Sequence, residues 1–145
     1  MKFEKINLLD IAKLVAMYVE TFNSPPWNDE WTIETASKRL HQMINCEGFY
    51  GLKAYQDEEL CGMILGSEEQ FFDGVTFNIK EFCVNNKMRN RGIGIKIFEE
   101  FEKQLREKQI TKIFLLTSRD DGTEGFYKKR GLESYDGMVV MGKQL

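Results

Sequence analysis

Apolar residues at Ile11, Leu14, Val15, Tyr18 and Phe22 follow the i, i+3, i+4, i+7, i+11 series of one helical face. Asn7 can cap that helix, and Pro25 and Pro26 stop it, because proline cannot continue the hydrogen-bond ladder. A second stripe, Ile33, Ala36, Leu40, Met43 and Ile44, starts at Thr32. From Phe49 the period becomes that of a strand. Residues 49–56 and 60–67 read as a hairpin around Asp57, Glu58 and Glu59, and Asp73-Gly74 turns the chain into a third strand, 75–84. Ile93, Ile97, Phe101 and Leu105 then mark a third helix, with Glu99/Lys103 and Glu102/Arg106 on its wet side. The compact apolar run 111–117 predicts a buried central strand. Asp120 or Asp121 can cap a short helix that Gly131 ends, and 132–144 reads as two closing strands around Asp136-Gly137. Residues 2–6 supply a first short strand.

This order predicts an α+β fold, a mixed and mostly antiparallel sheet covered by about four helices, within one domain spanning 1–145. The strand, helix, strand unit 75–117 should cross over right-handed, which puts the intervening loop at the carboxyl end of its first strand.

Composition narrows the function. The chain has 42% hydrophobic and 30% charged residues, the balance of a soluble globular protein. It shows neither an apolar signal core nor a membrane-length run, so the expected compartment is the cytoplasm, with no membrane partner. Cys46, Cys61 and Cys83 form no CxxC pair and read as free thiols, and His41 is the only histidine, so no metal site is expected.

The net charge is −3, yet Lys87, Arg89, Arg91 and Lys96 lie between Phe82 and Phe98 with no acid among them. This basic stretch joins a strand to a helix start, where free N–H groups and the helix dipole favour an anion and glycines permit close approach. A compact polyanion is expected rather than nucleic acid, since no stacking motif accompanies the charge. The spacing is neither Walker A nor GxGxxG.

Val84-x-x-x-x-Arg89-x-x-Gly92-Ile93-Gly94, followed about thirty residues later by Phe126-Tyr127-Lys128-Lys129-Arg130-Gly131-Leu132, resembles the GCN5-related N-acetyltransferase (GNAT) family in both of its diagnostic segments, and the element order agrees over nearly the whole chain. The resemblance implies that Arg89, Asn90, Arg91, Gly92, Ile93 and Gly94 present backbone N–H groups to the pyrophosphate of acetyl-coenzyme A. Phe82, Cys83 and Val84 would line its pantetheine arm at a splayed sheet edge, and Tyr127 would protonate the departing sulfur. Asn90 stands where the family usually has glycine, and asparagine tolerates the positive φ required. Asp121 stands where the family often has asparagine, so a donor contact to the arm would be lost or moved to Ser118 or Thr123.

For an acetyltransferase the base candidate is Glu81, which strand alternation puts on the face opposite Phe82 and Val84; a surface glutamate paired with a lysine is the alternative. Glu68 and Glu69 are weaker candidates. Trp27, Asp29, Glu30 and Trp31 could bind a cationic amine, from a small molecule or a protein, or the tryptophans could only staple their loop to the core. A coenzyme A-binding sensor without turnover is the competing reading. The closing strands could also pair with a second copy as a homodimer.

Overall fold

Asn7 caps the chain's first helical turn through a capping box: its side chain accepts from Leu9 N at 2.9 Å, while Asp10 accepts from Asn7 N at 2.9 Å. That turn runs into α1 (Ile11–Phe22). Thr32 caps α2 (Ile33–Ile44) in the same manner, with Thr35 as the reciprocal partner. Three strands follow, β2 (Phe49–Gln56), β3 (Glu59–Phe71) and β4 (Gly74–Val84), then α3 (Ile93–Glu107) and β5 (Lys112–Leu115); β1 is Lys2–Lys5. This computed structural model describes residues 1–145 and divides into two compact units, Met1–Leu115 and Leu116–Leu145. No helix is long and apolar enough to cross a membrane.

In the first unit the strands lie in the order β1-β2-β3-β4-β5, antiparallel except for the parallel β4 and β5. Helices cover both faces. Leu14, Val15, Met17 and Tyr18 of α1 and Ala36, Leu40 and Ile44 of α2 pack with Met63, Leu65 and Cys83 on one face. On the other, Phe101 of α3 stacks on Tyr50 at 5.7 Å and meets Phe77 edge-on at 5.4 Å.

Phe77 and Phe82 both face α3, the second through Phe98 at 6.4 Å. They are five residues apart, a spacing that strict alternation forbids. A bulge resolves this. Leu65 pairs with Glu81 and Gly66 with Ile79, so Lys80 is an extra residue with no opposite number. Gly66 is required there, because a Cβ at that position would come within 1.9 Å of Asn78 O.

Three expectations fail. β5 is the last strand in the sheet order and is only half-buried, not a buried central strand, since its partner lies on one side only. Ile33 is 71% exposed, because it occupies the first turn of α2, beyond the reach of the core. The closing strands do not form: residues 132–145 contain no strand, and beyond Leu132 the backbone bond present is a turn from Met138 N to Tyr135 O at 3.3 Å. Met138, Val139, Val140 and Met141 are exposed, so the alternation that suggested strands there is not supported by a ladder. The segment expected to pair with a second copy therefore offers no formed strand.

In the second unit the only helix is α4 (Glu124–Lys128). Asp120 accepts from Thr123 N at 2.9 Å ahead of it, and it ends as expected at Gly131, with φ +87. Leu132 N bonds Tyr127 O and Gly131 N bonds Lys128 O, at 3.1 Å each, the paired bonds of a Schellman end.

Candidate active site

The loop between β4 and α3 is shaped by two left-handed residues, Asn90 at φ 63 and Gly92 at φ 71. A Cβ on Gly92 would meet nothing within 4 Å, so the backbone, not crowding, calls for glycine here. Gly92 precedes α3 without a side-chain cap, and the N–H groups of Ile93, Gly94 and Ile95 have no acceptor within the protein. Two left-handed residues ahead of free helix N–H groups make a concave anion cradle. Arg91 is exposed beside it, as is Lys96, and neither has an ion-pair partner. Arg89 is turned elsewhere. Its Nη1 donates to Pro25 O at 3.3 Å and its guanidinium lies 5.1 Å from the Trp27 ring, so its charge ties this loop to the one after α1.

β5 pairs with β4 only over Thr76–Ile79. From Lys80 to Val84 the outer edge of β4 therefore has no strand beside it, and an extended ligand with amide groups, such as a pantetheine arm, could complete it. These features fit acetyl-coenzyme A: a backbone cradle for a pyrophosphate and an open strand edge for the arm. Phe82 and Val84 are half-buried along this stretch, whereas Cys83 points into the α1/α2 core at 4% exposure. The Cys83 side chain therefore does not line the open edge as expected, and its burial pushes the thiol up.

Glu81 is buried, at 8% exposure, and three donors converge on its Oε1: Arg39 Nε at 2.8 Å, Arg39 Nη2 at 2.7 Å and Tyr18 OH at 3.1 Å. Burial raises its carboxyl above the ordinary value, and the Arg39 charge offsets this only in part. The Tyr18 phenol is likewise pushed up, by burial and then by the Glu81 charge. Glu81 is thus no surface glutamate with a lysine partner. In the sequence Tyr18 reads as a core residue of the α1 stripe, and Arg39 belongs to no apolar stripe or motif. A lone carboxylate in an apolar strand was the one signal that such partners must exist.

Trp31 meets Tyr18 edge-on at 5.2 Å, lies 5.7 Å from the Arg39 guanidinium and donates Nε1–H to Asp29 at 3.0 Å. Trp27 packs on Phe22 at 5.1 Å. Both tryptophans therefore staple their loop to α1; Glu30 is exposed and has no ion-pair partner. Glu68 and Glu69 sit near the exposed end of β3.

In the second unit, Tyr127 lies on α4 with Phe126 edge-on at 5.3 Å. Thr123 Oγ1 donates to Ser118 O at 2.7 Å, so that hydroxyl is already used in the turn before the helix, and Asp121 is exposed.

The sequence model of the Acetyltransferase (GNAT) family matches residues 12–132, across both units. An acetyltransferase of Pectobacterium atrosepticum is 30% identical over 122 residues, covering 83% of this chain and 78% of its own. Among solved structures, a possible acetyltransferase from Clostridium difficile 630 superposes with a TM-score of 0.82 at 11% identity, over 99% of this chain and 97% of the other. An aminoglycoside acetyltransferase from an uncultured soil metagenomic sample, in complex with sisomicin, gives 0.72 at 16% identity, over 99% and 95%. The structural matches establish the fold.

Proposed function

Because the chain belongs to the acetyltransferase (GNAT) family, we propose that it transfers the acetyl group of acetyl-coenzyme A to a primary amine by direct attack, with 1–145 acting as one catalytic domain. Acetyl transfer is the family's reaction; the donor, the acceptor class and the residue roles are the reading offered here. The observation that carries it is the Asn90 and Gly92 cradle before α3, next to the open edge of β4.

In this reading the backbone of residues 89–94 holds the pyrophosphate, and Arg91 adds charge without a fixed pose. Bound acetyl-coenzyme A supplies an activated acetyl carbon, which the amine attacks as the carbon–sulfur bond breaks. Glu81 takes the proton from the amine; its Oε1 is fixed by Arg39 and Tyr18, which leaves Oε2 to receive it. Tyr127 gives a proton to the departing sulfur, and Ser118, Asp121 and Thr123 flank the arm. The acceptor is a small-molecule amine, as for the aminoglycoside acetyltransferases that share the fold.

Release of coenzyme A with formation of the acetylated amine, followed over an amine panel, tests this. Saturable binding of acetyl-coenzyme A without transfer to any amine would instead identify a sensor that does not turn over.

A further inference from the structure

On the α2 side of the sheet, an open cleft of about 200 Å³ is lined by Arg39, Gln42, Met43, Cys46, Ser67 and Lys80. It adjoins the proposed base through Arg39, whose Nε and Nη2 hold Glu81 and whose guanidinium also faces the Trp31 ring at 5.7 Å. Lys80 is exposed and makes no ion pair. No acid lines the cleft, although the chain as a whole has more acids than bases. Ser67, at 5% exposure, and the Gln42 amide are the neutral hydrogen-bonding groups.

The bulge explains how the cation reaches this place. As the extra residue of β4, Lys80 turns to the same side as Glu81, so one strand presents a carboxylate and an ammonium on one face in succession. A polycationic acceptor would meet the unpaired Lys80 ammonium and a guanidinium already committed to Glu81, with no carboxylate on the lining to receive it. A carboxylate would meet Lys80 Nζ, with the Arg39 guanidinium and two neutral donors on the same lining. The space suits something small, since about 200 Å³ falls below the ~300–1,000 Å³ of sites for drug-sized ligands.

We propose that this cleft selects acceptors of amino-acid size that carry a carboxylate beside the amine, with Lys80 holding that carboxylate and Arg39 beside it on the lining. The proposal rests on the reading of the chain as an amine acetyltransferase. It separates this chain from its structural neighbour in complex with sisomicin, an amino sugar without a carboxylate.

Two measurements on the full chain test it. In the first, kcat/KM is compared for α-amino acids, their amides and aminoalkyl phosphates of matched length. The carboxylate member should lead by at least tenfold, Lys80→Arg should keep the lead, and Lys80→Glu should abolish or reverse it. The charge-matched control Lys103→Glu, on the wet face of α3, should leave it unchanged. A lead for amides, phosphates or aminoglycosides, or an unaltered order in Lys80→Glu, overturns the proposal.

The second measurement needs no turnover. Cys46 is the exposed thiol of the cleft, and Cys61 and Cys83 are buried. Its alkylation should be slowed by N-acetylated amino acids but not by their amides, and this protection should vanish in Lys80→Glu; equal or absent protection overturns the proposal. Transfer without carboxylate preference would sink the proposed selectivity alone, whereas carboxylate-dependent protection without any transfer would sink the reading as an acetyltransferase.

Discussion

The loop before α3 and the cleft beside Arg39 sit at opposite ends of the same stretch of β4 and are built by different means. Residues 89–94 are contiguous, and the anion cradle is made of backbone N–H groups whose direction depends on two left-handed residues. The cleft draws on α2, β3 and β4, and its character resides in side chains that converge from Arg39, Ser67 and Lys80. A backbone site tolerates change at most of its side chains. A side-chain site can change its ligand with one substitution, which suits a family with one donor and many acceptors.

If the two regions are separable, each should fail without disturbing the other. The largest effect is expected from Glu81→Gln, which should lower kcat by about 10³-fold while the acetyl-coenzyme A Kd stays put; a matching rise in that Kd would mean that the regions are not distinct. The same variant carries a pH signature. Because burial raises the folded-state pKa of Glu81 above the ordinary 4.5, its contribution to stability is full below that value and is lost as pH rises through the folded pKa. The stability difference between native protein and Glu81→Gln, from urea unfolding at a series of pH values, should therefore shrink as pH climbs above 4.5. The acid limb of the native pH–rate profile should lie above 4.5 as well.

Tyr127→Phe should reduce kcat by about 10²-fold with both binding constants unchanged, provided that chemistry limits the rate. Full turnover there would remove Tyr127 as the acid. Gly92→Asp places a carboxylate on a residue with φ +71 at the anion cradle. It should weaken acetyl-coenzyme A by about 100-fold in calorimetry, while Cys46 protection in the cleft persists. The smallest effect, about 2 kcal/mol of stability, is expected from Gly66→Ala by denaturant unfolding, because the added methyl displaces the backbone opposite the bulge; a smaller loss would show that the bulge relaxes freely.

The same contrast decides what could be read in advance. Asn7 and Thr32 act within three residues of themselves, and Gly74, Gly92 and Gly131 act on their own φ, so caps, turns and the left-handed loop before α3 were legible. The clamp on Glu81 joins residues 63 and 42 positions away, and no local period encodes such a pairing. The bulge was invisible for the same reason: alternation around Phe82 gave the correct face for Glu81, but not the place where the phase slips. The chain's last fourteen residues show the opposite error, since an alternating apolar pattern creates a strand only when a partner completes its ladder.

The slip at Lys80 also bears on how such a protein changes over generations. Removing that one residue would bring Ile79 and Glu81 into unbroken pairing with Gly66 and Leu65, leaving Phe77 and Phe82 on the faces they now occupy. A single codon, gained or lost, could thus add or subtract the cleft's ammonium without moving either half of the sheet or the loop that follows it. Acceptor preference would then drift by insertion and deletion as readily as by substitution, in a strand where an indel would ordinarily turn the core inside out.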